Sequence, residues 1–288
     1  MLETRRGGDI EVVSLLDGVA GLEDSFEESF PEPAQAEWAP FHKNHPELVT
    51  PEGNWRLHVR CWLIRAGDRS ILVDTGTGPV TSPTRSWWSG GAGRLPDELA
   101  AAGVGPADVD TVAITHVHDD HIGGTMSAPD DPAFPNARYL IHRADWDWVV
   151  HYADEDEEFR EMFEALMKPI ENAGLVELVS GTEEIAPAVR LRHLPGHTPG
   201  HQVIELASGE ERLTITGDTF NHPALVANPD WTAGTDDDSD RAKASRREML
   251  QDLADGRVFA PTHLAEPFGR ATPGNNGRRI WRAETNSA

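Results

Sequence analysis

Cysteine is nearly missing from this chain. Cys61 stands alone among 288 residues, so no intrachain disulfide can form and no set of thiolates can hold a metal. Any metal must be held by His, Asp and Glu. Basic residues are scarce as well: 25 Lys+Arg against 49 Asp+Glu, a formal net charge of −24. Phosphate backbones are bound through Lys and Arg, so no nucleic-acid partner is expected. Anionic membrane surfaces are disfavoured for the same reason. No stretch approaches the ~18 consecutive apolar residues of a membrane span. Residues 1–9 are charged and carry no apolar run of the signal-peptide kind. No membrane association and a cytoplasmic location are therefore expected. What the chain does have is 38% hydrophobic residues with 9 Trp and 9 Phe, enough for a globular core. Its length fits one large domain or two small ones.

The densest chemistry lies at residues 115–124, Thr-His-Val-His-Asp-Asp-His-Ile-Gly-Gly. Three histidines and two carboxylates fall within six positions, and these are the usual ligands of borderline divalent cations. The preceding residues 109–114 are short, apolar and partly β-branched, so they predict a buried strand with the ligands on the turn at its end. His116 and His118 are two apart and point the same way on an extended segment. Asp120 and His121 lie past the bend and can face a second point in space. Two neighbouring metals fit this better than one. Gly123 and Gly124 let the backbone reverse where a side chain would obstruct it. A solvated His-rich surface turn is the plain alternative.

Along the rest of the chain, strands are expected at 10–16, 57–64, 70–73, 138–141, 176–179, 189–194, 202–206, 213–216 and 258–260. Helices are expected at 96–102, 145–150, 155–172 and 241–254. Phe159, Met162, Phe163, Leu166 and Ile170 form a stripe at helical spacing, read as packing or as a lid. Residues 21–53 carry prolines, acids and aromatics without a clean period. They read as an ordered arm or a linker within a single domain spanning 1–288, and a homodimer through this arm is conceivable. Asp74, at a strand end before Thr75-Gly76, is either an orienting partner for a ligand histidine or an ordinary turn exit. Asp236-Asp237-Asp238 reads as a solvated loop or a weak cation attractor.

Three further residues join the motif. His197 follows a strand in Leu-Pro-Gly-His-Thr-Pro-Gly-His, with His201 four residues on. Asp218 follows the strand at 213–216, and His263 the strand at 258–260. Each metal-competent side chain thus sits just past the C-terminal end of an apolar strand, where α/β sheets gather their sites.

The set His116-x-His118-x-Asp120-His121, His197, Asp218 and His263 resembles the metallo-β-lactamase superfamily. The resemblance implies an α/β fold: an αββα sandwich, two mixed β-sheets flanked by helices, with the site on one edge. It implies that His116, His118 and His197 hold one metal, that Asp120, His121 and His263 hold a second, and that Asp218 bridges them. Asp74 and His201 would support the site without ligating. Two divalent ions are implied, Zn2+ first, with Mn, Fe, Co or Ni also suited to these donors.

Within the superfamily, Asp218 sets the chain apart from true β-lactamases. The short segment after His263 sets it apart from glyoxalase II enzymes, and the negative charge from tRNA-processing members. Leu16-Asp17-Gly18 and the run 216–223 look more like the lactonase and methyl-parathion-hydrolase-like branch. The tyrosine that some lactonases place near the metals has no counterpart after His193; the two tyrosines are Tyr139 and Tyr152. The implied activity is cleavage of a small-molecule ester or lactone by a metal-bridging hydroxide, with Asp120 as the catalytic carboxylate. Phosphotriester or phosphodiester hydrolysis is the alternative on the same site, and iron-dependent redox chemistry a more distant one. Trp87, Trp88, His222, Leu225 and Trp231, with aromatics of the arm, are candidates for a pocket wall.

Overall fold

The computed structural model describes residues 2–21, 26–82, 90–252, 256–274 and 277–284. One sheet is built from Thr4–Gly7 (β1), Ile10–Gly21 (β2), Arg56–Ala66 (β3), Arg69–Val73 (β4), Gly90–Gly91 (β5), Thr111–Ala113 (β6), Arg138–His142 (β9) and Val176–Val179 (β10). Met126–Ala128 (β7) and Asp131–Pro132 (β8) pair only with each other. The second sheet holds Thr182–Ala186 (β11), Val189–His193 (β12), Gln202–Ser208 (β13), Glu211–Gly217 (β14), Val258–Pro261 (β15), Gly269–Pro273 (β16) and Arg279–Ala283 (β17).

The first sheet runs β1-β2-β3-β4-β6-β9-β10, with β5 on β2; the second follows chain order. β4, β6, β9 and β10 are mutually parallel, as are β14 and β15, while the remaining pairs are antiparallel. Both sheets are therefore mixed. β3 is buried without a break over 59–64 and β4 over 71–73, because both their faces are covered. On one face, Trp62, Ile64, Ile71 and Val73 meet Leu191, Ile204, Ile215 and Val258 of the second sheet. On the other, Cys61, Leu63 and Leu72 pack with side chains from the helices Leu95–Ala101 (α3), Arg143–Ala153 (α5), Glu157–Met162 (α6) and Lys168–Asn172 (α7). The outer face of the second sheet is covered by Pro223–Ala227 (α8), Ser239–Asp252 (α9) and residues of the arm. Helix, sheet, sheet, helix is the expected αββα sandwich.

Several details differ from the sequence expectations; β2 runs past residue 16 to Gly21, and β1 and β11 were not expected. The segment 155–172 is not one α-helix: α6 gives way to a π turn, Phe163–Met167, before α7. Pro169 has no N–H and its ring crowds the carbonyl four residues back, which a π insertion relieves. Met162, Leu166 and Ile170 still pack into the core of the first sheet. The arm contains the helices Phe26–Ser29 (α1) and Gln35–Asn44 (α2), and buries Phe26, Phe30 and Trp38 in the third hydrophobic cluster. Strands β16 and β17 carry Arg, Pro and Gly, and gave no apolar alternation to read.

Candidate metal centre

Parallel strands bring their C-terminal ends to one edge. β4 delivers Asp74 and β6 delivers residues 115–118. In the second sheet, β12 runs antiparallel to β13 and β13 antiparallel to β14, so β12, β14 and β15 share a direction. They deliver His197, Asp218 and His263 to the same edge. The short helix Asp119–Ile122 (α4) begins after His118 and turns Asp120 and His121 to a second face. A Cβ on Gly124 would lie 2.2 Å from the Thr75 carbonyl oxygen, so only glycine lets this loop pass. Gly217 has φ +48°, and a Cβ there would meet His201 Nε2 at 2.7 Å; glycine is what allows Asp218 to turn inward.

The seven motif side chains form one nest. His118 Nδ1 lies 3.0 Å from His116 Nε2 and 3.0 Å from His197 Nε2. Asp218 Oδ2 is 3.3 Å from His197 Nε2 and 3.0 Å from His263 Nε2, and its Oδ1 is 3.4 Å from His121 Nε2. Asp120 reaches His121 Nε2 at 3.5 Å through Oδ1 and His263 Nε2 at 3.4 Å through Oδ2. The donor atoms of His116, His118 and His197 fall within 4.8 Å of one another, as do those of Asp120, His121 and His263, and those of His116, His121 and Asp218.

This donor set fits divalent cations on physical grounds. Lone pairs of three imidazoles repel at such distances unless a positive charge lies among them. Asp120 Oδ2, His121 Nε2 and Asp218 Oδ1 are buried without a hydrogen-bond partner. Each such atom costs ~1–3 kcal/mol in an ordinary core. Coordination removes that cost.

Outer partners fix the rings. Asp74, at φ +60°, accepts from Thr115 N at 2.7 Å and from Thr115 Oγ1 at 2.8 Å, and sits 2.8 Å from His121 Nδ1. His263 Nδ1 is 2.7 Å from the His58 carbonyl oxygen. Buried Arg60, two residues further along β3, donates to the carbonyls of Leu264 and Ala265. His201 accepts from Asp218 N at 3.1 Å through Nε2, and its Nδ1 faces the Leu194 carbonyl at 3.1 Å, so it holds the backbone of Asp218. Asp145, from α5, accepts from Val117 N at 3.2 Å, Thr198 Oγ1 at 2.8 Å and Gly200 N at 2.5 Å. It ties the loop of His116 and His118 to that of His197. No pattern marks Asp145 in the sequence; nor does one mark Arg60.

Burial and charge oppose each other in the nest. Burial, reinforced by neighbouring imidazoles, pushes His116 and His118 well below the usual histidine range. Burial acts on His121 too, but Asp120, Asp74 and Asp218 outweigh it and raise this imidazole to about 10. His197 rises to about 9, as its hydrogen bonds to Asp218 and Asp236 overcome burial. Burial raises Asp145 to about 6 despite its three donors.

Only part of the expected pocket wall falls on described residues. Trp87 and Trp88 fall outside the described residues. His222 is buried among Phe26, Phe30, Trp38, Phe41 and Trp55, with centroids 5.1–6.3 Å away. Leu225 is fully buried in the same cluster, and half-buried Trp231 packs against it. Aromatic packing between the arm and α8 thus takes up His222 and Leu225, leaving them no open face. Among the described residues, Trp148 of α5 lies beside the nest, 6.3 Å from the His118 ring. It contacts Tyr152 and Phe159 at 5.5 and 5.1 Å. The i, i+4 spacing of Trp148 and Tyr152 was the available signal. Tyr139 is buried under the sheet, its hydroxyl 3.3 Å from the Thr125 carbonyl oxygen.

A two-sheet sandwich with a His/Asp nest on its shared edge defines a metal-dependent hydrolase. The metallo-β-lactamase superfamily model matches residues 54–263. The chain belongs to that superfamily. Among curated relatives, an N-acyl homoserine lactonase of a Bacillus species is 29% identical over 189 residues, covering 60% of this chain and 69% of the relative. N-acyl homoserine lactonase AiiB of Agrobacterium fabrum is 28% identical over 158 residues, 49% of this chain and 55% of the relative. Among solved structures, the hydrolase AbOPH superposes with a TM-score of 0.85 at 22% identity, and the dizinc quorum-quenching lactonase AidC with 0.84 at 24%. Each covers 100% of this chain and 98% of the other. These two likenesses speak for the fold.

Proposed function

We propose that this protein is a dinuclear hydrolase that opens a carboxylic ester or lactone. One observation carries the reading: Asp218 lies between two donor triads and has an oxygen within 3.4 Å of a nitrogen in each. His116, His118 and His197 would hold one cation, Asp120, His121 and His263 the other, with Asp218 shared. Zinc is the proposed metal, a choice supported by the dizinc lactonase AidC. When bound, such a pair brings the pKa of water to around 7 and polarises a carbonyl oxygen.

The protein's own groups do the rest. The buried Asp120 carboxylate, through whichever oxygen a cation leaves free, would accept the proton of the attacking water. The same oxygen returns it to the alkoxide that departs as the C–O bond breaks. Asp74 and the His58 carbonyl keep the His121 and His263 rings from turning. Trp148, Tyr152 and Phe159 offer apolar surface beside His118 for an acyl chain or ring. Relatives named as N-acyl homoserine lactonases support a lactone substrate.

The test is a metal analysis of purified protein followed by parallel assays on lactones, carboxylic esters, thioesters and organophosphates. Ester or lactone turnover should fall by about 10²–10⁴ in Asp120→Asn, the span of a lost general acid–base group. Undiminished turnover in that variant, or after chelation, sinks the mechanism. Preferential turnover of organophosphates moves the substrate to phosphotriesters.

A further inference from the structure

The loop between α8 and α9 contains three consecutive aspartates, and they are not equivalent. Asp237 and Asp238 are exposed, while the Asp236 side chain is fully buried. A solvated acidic run was the sequence expectation; for Asp236 it fails because two partners draw the carboxylate inward. Its Oδ1 lies 3.2 Å from His197 Nδ1, and its Oδ2 accepts from Arg246 Nη1 at 3.0 Å. Arg246, on α9 and 1% exposed, also donates through Nε to the Pro229 carbonyl at 3.0 Å and through Nη2 to the Trp231 carbonyl at 2.7 Å. One buried guanidinium therefore fixes three points of the loop. The loop in turn grips the backbone around His197: Asp237 N donates to the His197 carbonyl at 3.1 Å and Asp238 N to the Gly196 carbonyl at 2.9 Å.

His197 is thus held on two sides. Its Nε2 faces His118 and Asp218 in the nest, and its Nδ1 faces Asp236 outside it. A carboxylate on one ring nitrogen keeps the proton there and leaves the other nitrogen's lone pair for a cation. We propose that Asp236, locked by Arg246, is a positioning residue that sets the tautomer and orientation of His197 for the first metal. This rests on the dinuclear reading above.

The experiment compares wild type, Asp236→Asn and the exposed neighbour Asp237→Asn by zinc titration against a chromophoric chelator. Melting temperature of each metal-stripped protein is measured alongside. Asp236→Asn should bind one of two zinc equivalents ~10–100-fold more weakly, as is typical when an outer partner of a ligand histidine is lost. Its second equivalent should stay near wild type, while its metal-stripped melting temperature should fall because buried Arg246 loses its counter-charge. A loss confined to one equivalent is what a merely structural role would not give, and Asp237→Asn should match wild type throughout. Two wild-type-like equivalents in Asp236→Asn overturn the proposal. A wild type that takes up fewer than two overturns the dinuclear reading itself. Should Asp236→Asn fail to fold, long-range proton–nitrogen NMR of zinc-loaded wild type decides. A protonated Nδ1 with Nε2 on the metal supports the assignment; Nδ1 on the metal refutes it.

Discussion

The two triads of the nest are built from different chemistry. His116, His118 and His197 are three imidazoles, two of which burial keeps neutral. Asp120, His121 and His263 include a carboxylate, and His121 is raised by three carboxylates around it. Their supports differ as well. The first triad is spread over two loops from different sheets, joined by Asp145. The second takes two of its members from one turn of α4 and leans on Asp74 and the His58 carbonyl, both at strands of the first sheet. The first triad therefore depends on the sheets staying in register at their shared edge. The second also takes His263 from the second sheet, after β15, but its outer supports, Asp74 and the His58 carbonyl, both belong to the first sheet.

Removing the shared element erases this distinction and should have the largest effect. In Asp218→Ala both triads lose an oxygen. An outer partner alone is worth ~10–100-fold in metal affinity, so loss of the proposed shared ligand should exceed ~100-fold for both equivalents. Activity should become undetectable in metal-buffered assays. Retention of one tight zinc equivalent would mean that the triads do not share this carboxylate.

Substitutions of the supports should separate the triads. Asp145→Ala deprives Val117 N, Thr198 Oγ1 and Gly200 N of their acceptor. At ~1–3 kcal/mol per stranded buried donor, the protein should lose about 3 kcal/mol or more in denaturant unfolding. The zinc equivalent of the three-imidazole triad should weaken. Asp74→Asn keeps the shape and removes the charge beside His121, so the other equivalent should weaken by ~10–100-fold with a smaller change in stability. Cobalt substitution followed by visible spectroscopy distinguishes the two environments. The same equivalent weakening in both variants would contradict the separation of supports.

Legibility followed the same division between ligands and supports. The seven nest residues were conspicuous because each follows a short apolar strand, and parallel strands put such exits on one edge. Asp145 and Arg60 were invisible: they act across more than fifty and two hundred residues of sequence, from positions with no local pattern. Asp236 was hidden by its neighbours, since in a chain of net charge −24 one more aspartate in an acidic run carries no signal. His222 misled for the opposite reason. A histidine four residues past Asp218 reads as part of a site, yet the arm's aromatics enclose it and its Nδ1 accepts from Ala224 N at 3.1 Å. Sequence spacing finds the side chains of the nest; the groups that aim them depend on tertiary packing.

A final, smaller effect sharpens the contrast through protons. Burial disfavours a charged imidazole, but the carboxylates hold His121 at about 10, and hydrogen bonds to Asp218 and Asp236 hold His197 at about 9. Both lie above the ordinary histidine value of ~6.5. Raised pKa values of this kind stabilise the folded, metal-stripped protein fully below ~6.5, and that contribution is lost as pH rises through about 9 and 10. The melting temperature of stripped protein should therefore decline between pH 7 and 10. Zinc must displace the same protons, so the loaded protein should not show that decline, and binding at pH 7 should release protons. His263 is raised alongside His121, whereas His197 is the only raised imidazole of the first triad. Calorimetric titrations in buffers of different ionisation enthalpy should then count more protons for the equivalent lost in Asp74→Asn than for the other. Equal counts, or a stripped protein that grows more stable toward pH 10, would show that the carboxylates of the second triad do not set the charge of its histidines.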